Sequence, residues 1–441
     1  MHERFARSAW FRRDRFGMFI HWGAYAVPAR GEWVRSVERI GIEDYQRHVD
    51  AFRPDSFDPG VWADAAVAAG MKYAVLTAKH HDGFCLFDSQ LTDYSTTHTG
   101  FGRDVVAEFL DAFRTRGIRV GLYYSLVDWH HPDYPASGDP YHPSRDDPAV
   151  RGRDQIFDRY LEYLHGQVRE LCTNYGTLDL LWFDFSYGAM RADAWRAREL
   201  FEMVRDLQPG VLIDNRLEAS GTDKGSIVTD HPTPFSGDFA SPEQIIPTEG
   251  IRTPSGEPVP WEACITLNNN WGYNAFDTAW KPPELIVRKL VECVSKGGNL
   301  LLNVGPDARG RIPQPSLDIL SAVGGWLSDN GESVYGAGPS DLPKPEWGRY
   351  TRRVDDGDRE VVYAHVLEGQ VGPLALVAFD RDDIEGIRLV ADGSDLRIAD
   401  GWISEGSPGL TLVPFGPEAG HTYPLPDPVD TVLAITLRRH S

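Results

Sequence analysis

Imidazole, phenol, carboxylate and guanidinium side chains recur at the ends of short apolar runs in this chain, where they could carry acid–base or nucleophilic chemistry. His21 follows Phe16–Ile20, His80 and His81 follow Val75–Lys79, Tyr123 lies in Val120–Ser125, Asp184 follows Leu178–Phe183 and Arg216 follows Val211–Asn215. Asp184 is the most informative. In Leu180-Leu181-Trp182-Phe183-Asp184, the two-residue period of a strand puts Trp182 and Asp184 on one face and turns Asp179 to the other. A carboxylate beside an indole at the end of a buried strand is costly unless it is paired or functional. It can serve as metal ligand, general base or nucleophile, and its partners decide which.

His80-His81 looks like a metal pair, but successive strand residues face opposite sides, and the first run offers His21-Trp22-Gly23 rather than H-x-H. The expectation is therefore no metal and no cofactor. Imidazoles and the Arg216 fork suit sugar hydroxyls instead. With an unperturbed pKa of about 6.5, the histidines should add a pH response. His130 and His131, beside Pro132, read as surface residues. Spacing does not fix a second carboxylate: Glu32, Asp238, Glu243, Glu249 and Glu262 all qualify. Glu243 lies in a Gly/Pro/Asp-rich stretch, 236–244, that reads as an ordered loop over a site.

The elements that must position these residues are short buried runs alternating with helical patterns. Strand candidates are Phe16–Trp22, Lys72–Lys79, Ile118–Ser125, Leu178–Phe185, Val211–Arg216, Ala263–Leu267 and Asn299–Val304. Helical stripes run through Ile156, Tyr160, Leu164, Val168 and Leu171; through Val106, Phe109, Leu110 and Phe113; through Leu285, Lys289, Leu290, Cys293 and Val294; and through Leu317, Leu320 and Leu327. The glycine patterns that cradle phosphate in open doubly wound sheets are missing. An α/β chain of this kind fits a (β/α)8-like TIM barrel over residues 1–342, whose active site lies at the carboxyl ends of its strands. After Pro339 the texture changes to Glu360–Leu367, Leu374–Phe379, Ile387–Ala391, Leu410–Val413 and Thr431–Leu437, the spacing of a small antiparallel β-sandwich. Residues 343–441 form that second domain, with Pro343–Gly348 as linker.

Composition narrows the partners. There are 44 basic against 65 acidic residues, a formal charge of −21, and no basic block, which argues against nucleic acid and anionic lipid. No apolar run of about 18 residues and no leader-like start is present, so the expectation is a soluble cytoplasmic protein without a membrane partner. Cys85, Cys172, Cys264 and Cys293 are spaced as small buried residues rather than as a zinc or disulfide set. Homo-oligomerisation stays open.

Taken together, the motifs resemble those of glycoside hydrolase family 29, the retaining α-L-fucosidases. The resemblance runs from about Phe11 to Tyr335. It rests on Phe16-Gly17-Met18-Phe19-Ile20-His21-Trp22-Gly23, Lys79-His80-His81-Asp82-Gly83-Phe84, Tyr123-Tyr124-Ser125, Leu181-Trp182-Phe183-Asp184, Asp214-Asn215-Arg216, Gly237-Asp238-Phe239 with Pro242-Glu243-Gln244, Asn270-Trp271-Gly272-Tyr273, and Ser295-Lys296-Gly297-Gly298-Asn299 through Gly305-Pro306. It implies Asp184 as nucleophile and Glu243 as acid/base, with Glu249 as the alternative in a more variable loop. It also implies that His21, Glu32, Trp33, His80, His81, Tyr123 and Arg216 hold the sugar hydroxyls. Trp182 lies beside the nucleophile, and Trp271, with Trp22, would wall the sugar's apolar face and methyl group. Phe185 departs from the glycine many members carry after the nucleophile, a difference that falls on the leaving-group side. The implied substrate is a fucosylated oligosaccharide or glycoconjugate. Two competing readings are a metal-dependent barrel hydrolase using His21, His80, His81 and Asp184, and a glycan-binding protein without turnover.

Overall fold

The computed structural model describes residues 2–151, 155–355, 359–370, 372–377, 379, 381–399, 410–415 and 424–438. Seven strands, β1 (Phe16–Ile20), β2 (Tyr73–Lys79), β3 (Arg119–Ser125), β4 (Leu180–Asp184), β5 (Leu212–Ile213), β6 (Glu262–Thr266) and β7 (Asn299–Val304), form one parallel sheet in the order β5-β4-β3-β2-β1-β7-β6. Every residue of β1, β2, β6 and β7 is buried, which accounts for runs without polar alternation.

The sheet curls into a half-barrel rather than closing through eight regular strands. Val211–Arg216 contracts to two strand residues because the chain turns at Asn215–Leu217. Between edges β5 and β6 runs the extended segment 238–244. It touches both sides through isolated parallel bridges, Asp214 to Phe239, Ala240 to Trp261 and Glu243 to Cys264. Entry into this segment requires glycine: Gly237 has φ +83°, and a Cβ there would lie 2.1 Å from the Asp214 carbonyl oxygen.

Amphipathic helices cover the sheet. Asp58 caps Pro59–Ala68 through the Gly60 and Val61 N–H groups, and Asp104 caps Val105–Arg114 through Ala107 N–H. Val106, Phe109, Leu110 and Phe113 are buried as their period demands, as are Tyr160, Leu164, Val168 and Leu171 of Phe157–Asn174. Ile156 instead stands outside that helix, exposed. In Pro283–Ser295 the buried face is Ile286, Val287, Leu290, Val291, Cys293 and Val294, so Leu285 and Lys289 lie beside the face rather than on it. All four cysteines are buried and free. No helix among the described residues is long and apolar enough to cross a membrane.

The remaining strands are β8 (Gly338–Pro339), β9 (Gly348–Asp355), β10 (Arg359–Val366), β11 (Leu374–Val377), β12 (Ile384–Leu389), β13 (Leu410–Val413) and β14 (Thr431–Leu437). They make a five-stranded antiparallel sheet, β12-β14-β10-β9-β8, and the separate pair β11-β13. Leu374, Leu376 and Val413 of the pair pack into one apolar cluster with Val362, Val366, Leu433 and Ile435 of the larger sheet. β9 follows directly on the segment expected to be a linker; its Arg-rich sequence hides it. Of the expected Leu374–Phe379 run, residue 378 lies outside the described residues, as do 400–409 and 416–423 of the second unit. Trp326 Nε1 donates across to the Asp430 carbonyl, and the Asp430 side chain is fixed within the antiparallel part by His365, whose Nδ1 lies 2.7 Å from Asp430 Oδ2.

Candidate active site

The site is assembled where the strands end. β3 and β4 pair in register, setting Tyr123 beside Trp182 and Ser125 beside Asp184. Three donors converge on the Asp184 carboxylate: the Tyr123 hydroxyl at 2.8 Å from Oδ2, and Arg216 Nη1 at 2.6 Å and the Phe185 N–H at 2.8 Å from Oδ1. Arg216, on the turn after β5, is 1 % exposed and lies 4.3 Å over the Trp182 ring. Its Nε donates to Ser241 Oγ at 3.0 Å, which aims the fork. Its Nη2 lies 2.9 Å from Glu243 Oε2. One guanidinium thus joins two carboxylates, Asp184 with 13 % and Glu243 with 33 % of its side chain exposed. Burial opposes the charge on Arg216, but Asp184 and Glu243 outweigh it and hold its pKa above the ordinary value.

The other acidic candidates go elsewhere. Asp238 is clamped by Arg7 at 2.6 Å and by Arg205, and accepts the Ile213 N–H, so it anchors the segment that carries Glu243. Glu249 lines a different cavity, beside Arg252 and Lys296. Glu262 begins β6, at the floor, where it accepts Tyr73 Oη–H at 2.8 Å and Trp182 Nε1–H at 3.0 Å. Glu32 is buried behind Trp271 and accepts the Gly272 N–H at 2.7 Å; burial pushes its pKa up to about 7.

A cavity of about 410 Å³ opens beside Asp184 and Glu243, and the sequence-predicted site residues line it with the exception of Glu32 and Trp22. His21 Nδ1 lies 2.7 Å from Asn303 Oδ1, His81 Nδ1 lies 2.7 Å from Ser125 Oγ, and His80 stacks on Tyr123. Burial, reinforced by the neighbouring imidazoles, pushes the pKa of all three well below 6.5, which favours the neutral imidazole. The direction of these shifts runs against the expected histidine pH response. Trp271, 5.0 Å from the His21 ring, forms one wall. Trp22 does not: it is buried against Phe52, Phe57 and Trp62 and belongs to the core. His130 is likewise no surface group but stacks 3.6 Å from Tyr94 while its N–H donates to Asp128.

Three lining residues escaped the sequence reading: Phe19, Tyr187 and Cys264. Phe19 shares the inward face of β1 with His21, a signal the two-residue period carries. Tyr187 sits in a turn after β4 and had none. Among the described residues, no group of three or more His, Cys, Asp or Glu side chains is placed to hold a metal.

A model of the alpha-L-fucosidase family matches residues 2–332. The chain belongs to the alpha-L-fucosidase family. Alpha-L-fucosidase isoenzyme 1 from Paenibacillus thiaminolyticus is 54 % identical in sequence and superposes with a TM-score of 0.93 over 99 % of this chain and 100 % of that one. An alpha-L-fucosidase of glycoside hydrolase family 29 from Bacteroides thetaiotaomicron, captured as a covalent intermediate with 2-fluoro-fucosyl fluoride in a Glu-to-Gln mutant, is 28 % identical with a TM-score of 0.80, covering 98 % of this chain and 96 % of that one. Human plasma alpha-L-fucosidase is 31 % identical over 351 residues, 74 % of this chain and 69 % of its own. Phe185, which follows Asp184 where the resemblance leads to a glycine in many members, holds φ +84°, the left-handed region that favours glycine.

Proposed function

We propose that this protein hydrolyses terminal α-L-fucosyl residues with retention of configuration, acting on fucosylated oligosaccharides or glycoconjugates. The observation that carries the reading is the single Arg216 guanidinium shared by Asp184 and Glu243 at the rim of the cavity. Two carboxylates ion-paired with one guanidinium favour the roughly 5–5.5 Å carboxyl separation of a retaining pair over the roughly 6.5–9.5 Å that leaves room for water in an inverting one.

Asp184 attacks the anomeric carbon as the bond to the leaving oxygen breaks, and Glu243 delivers a proton to that oxygen. Water then enters, Glu243 takes its proton, and the oxygen displaces Asp184 to release fucose. Arg216 and Tyr123 hold the nucleophile in line. Because Glu243 must carry a proton to act as acid, its contact with Arg216 has to part as the sugar enters. The wetter position of Glu243 suits a group that gives a proton to the leaving oxygen and then takes one from the incoming water. His21, His80 and His81, as neutral imidazoles, can donate to and accept from hydroxyls, and Trp271 offers a face for the sugar's apolar side.

The same reading treats 238–244 as the eighth position of a (β/α)8-like barrel, supported by its bridges to both edges, and divides the chain at 342/343 into a catalytic domain and a β-sandwich domain supported by the shared cluster of its two sheets. The test is hydrolysis of an activated aryl α-L-fucoside. The wild type should turn it over, and Asp184→Asn should lose roughly 10⁴-fold or more in kcat; equal rates would remove Asp184 from its role.

A further inference from the structure

Beyond Asp184 the chain does something costly. Phe185 adopts φ +84°, a conformation worth about 1–3 kcal/mol of strain in a bulky residue. It is held there by its own N–H on Asp184 Oδ1, by Ser186 N–H on Ser220 Oγ at 2.9 Å, and by the paired backbone of Tyr187 and Met190. The result aims the Phe185 ring into a row of aromatics: Tyr187 at 5.0 Å, Tyr141 at 5.5 Å and Trp33 at 6.1 Å between centroids. Trp33 in turn lies 5.3 Å from Tyr141. Phe185 is buried, but Tyr187 and Tyr141 are 41 % and 45 % exposed. Tyr187 lines the same cavity as Glu243, and Tyr141, outside that lining, packs edge-on against Phe185. Among the described residues neither tyrosine hydroxyl has a hydrogen-bond partner. Aromatic side chains left nearly half exposed at the edge of a polar cavity offer apolar surface to a ligand.

The geometry points to a leaving-group subsite in which Tyr187 and Tyr141, backed by Phe185 and Trp33, take a pyranose ring that presents a face of C–H bonds. The inference rests on the proposed hydrolysis and names what sits on the far side of the cleaved bond. A stacked ring is oriented with its glycosidic oxygen toward Glu243, and the ring faces, not the hydroxyls, supply the contact. The strain at Phe185 is offset by the packing it gives the platform, which is what a glycine at this position would forgo.

The test compares two α-L-fucosides whose leaving alcohols need the same proton: a fucosyl disaccharide with a pyranose leaving group, and isopropyl α-L-fucoside, which has no ring face. For Tyr187→Leu and Tyr141→Ala, the ratio of kcat/KM for disaccharide to that for isopropyl fucoside should fall roughly tenfold each, mostly through KM, and Tyr187→Phe should keep the wild-type ratio. A ratio unchanged in both variants, or the two substrates failing together while Tyr187→Phe behaves normally, would overturn the subsite. A wild type that cleaves no α-L-fucoside at all would instead overturn the hydrolytic reading.

Discussion

Asp184 at the mouth and Glu262 at the floor are acids inside the same half-barrel, linked through one indole: Trp182 lies under the Arg216 guanidinium and donates its Nε1–H to Glu262. Glu262 is fully buried, meets two neutral donors, and is pushed up to about 7 by burial. Asp184 meets a cationic fork shared with a second carboxylate and opens onto the cavity. A near-neutral pKa deep in a barrel is often taken as the mark of a catalytic acid. Here it marks the group that braces the floor, while the proposed chemistry sits at the strand end beside the guanidinium.

The largest effect should come from breaking the mouth without removing its charge. Arg216→Lys keeps a cation but cannot reach both carboxylates, and kcat/KM on an aryl α-L-fucoside should fall about a hundredfold or more. A loss under tenfold would mean that the shared fork does not organise the pair. The matching change at the floor, Glu262→Gln, should leave kcat within roughly fivefold, since it touches no substrate. Its signature lies in stability. With a folded pKa of about 7 against an unfolded value of about 4.3, the native chain binds the extra proton between those limits, so this group's contribution falls as pH rises through that window and levels above it. Denaturant titrations at about pH 4.5 and pH 8 should show the variant gaining up to about 3 kcal/mol on the wild type across the window. A Glu262→Gln loss of activity as deep as that of Arg216→Lys would erase the distinction between mouth and floor.

Much of this site is legible because strand ends are. Asp184, His21, His80, His81 and Tyr123 sit at the close of apolar runs, and all line the cavity. Glu243 is different. It reaches Arg216 through a segment with only isolated bridges, so no period announces it, and the family resemblance set it above Asp238 while leaving Glu249 as the alternative. Asp238 is spent on Arg7 and Arg205, contacts more than thirty residues away along the chain for Arg205 and more than two hundred for Arg7. Depth is equally hidden: residue type gave the histidines an ordinary pKa, and only the surrounding rings and burial lower it. β9 was missed because its run, Gly-Arg-Tyr-Thr-Arg-Arg-Val-Asp, buries Tyr350 and Thr351 amid arginines. Tyr187 depends on a turn whose course no local pattern specifies.

The central claim is that Asp184 forms the bond to the sugar. Incubating the protein with 2-fluoro-α-L-fucosyl fluoride, which loses fluoride on attack but deglycosylates slowly, and mapping the adduct by peptide mass spectrometry tests it directly. The account predicts one 2-fluoro-fucosyl ester, on the peptide containing Asp184. An ester on any other acidic residue, or rapid turnover of α-L-fucosides with no trappable adduct, would contradict it.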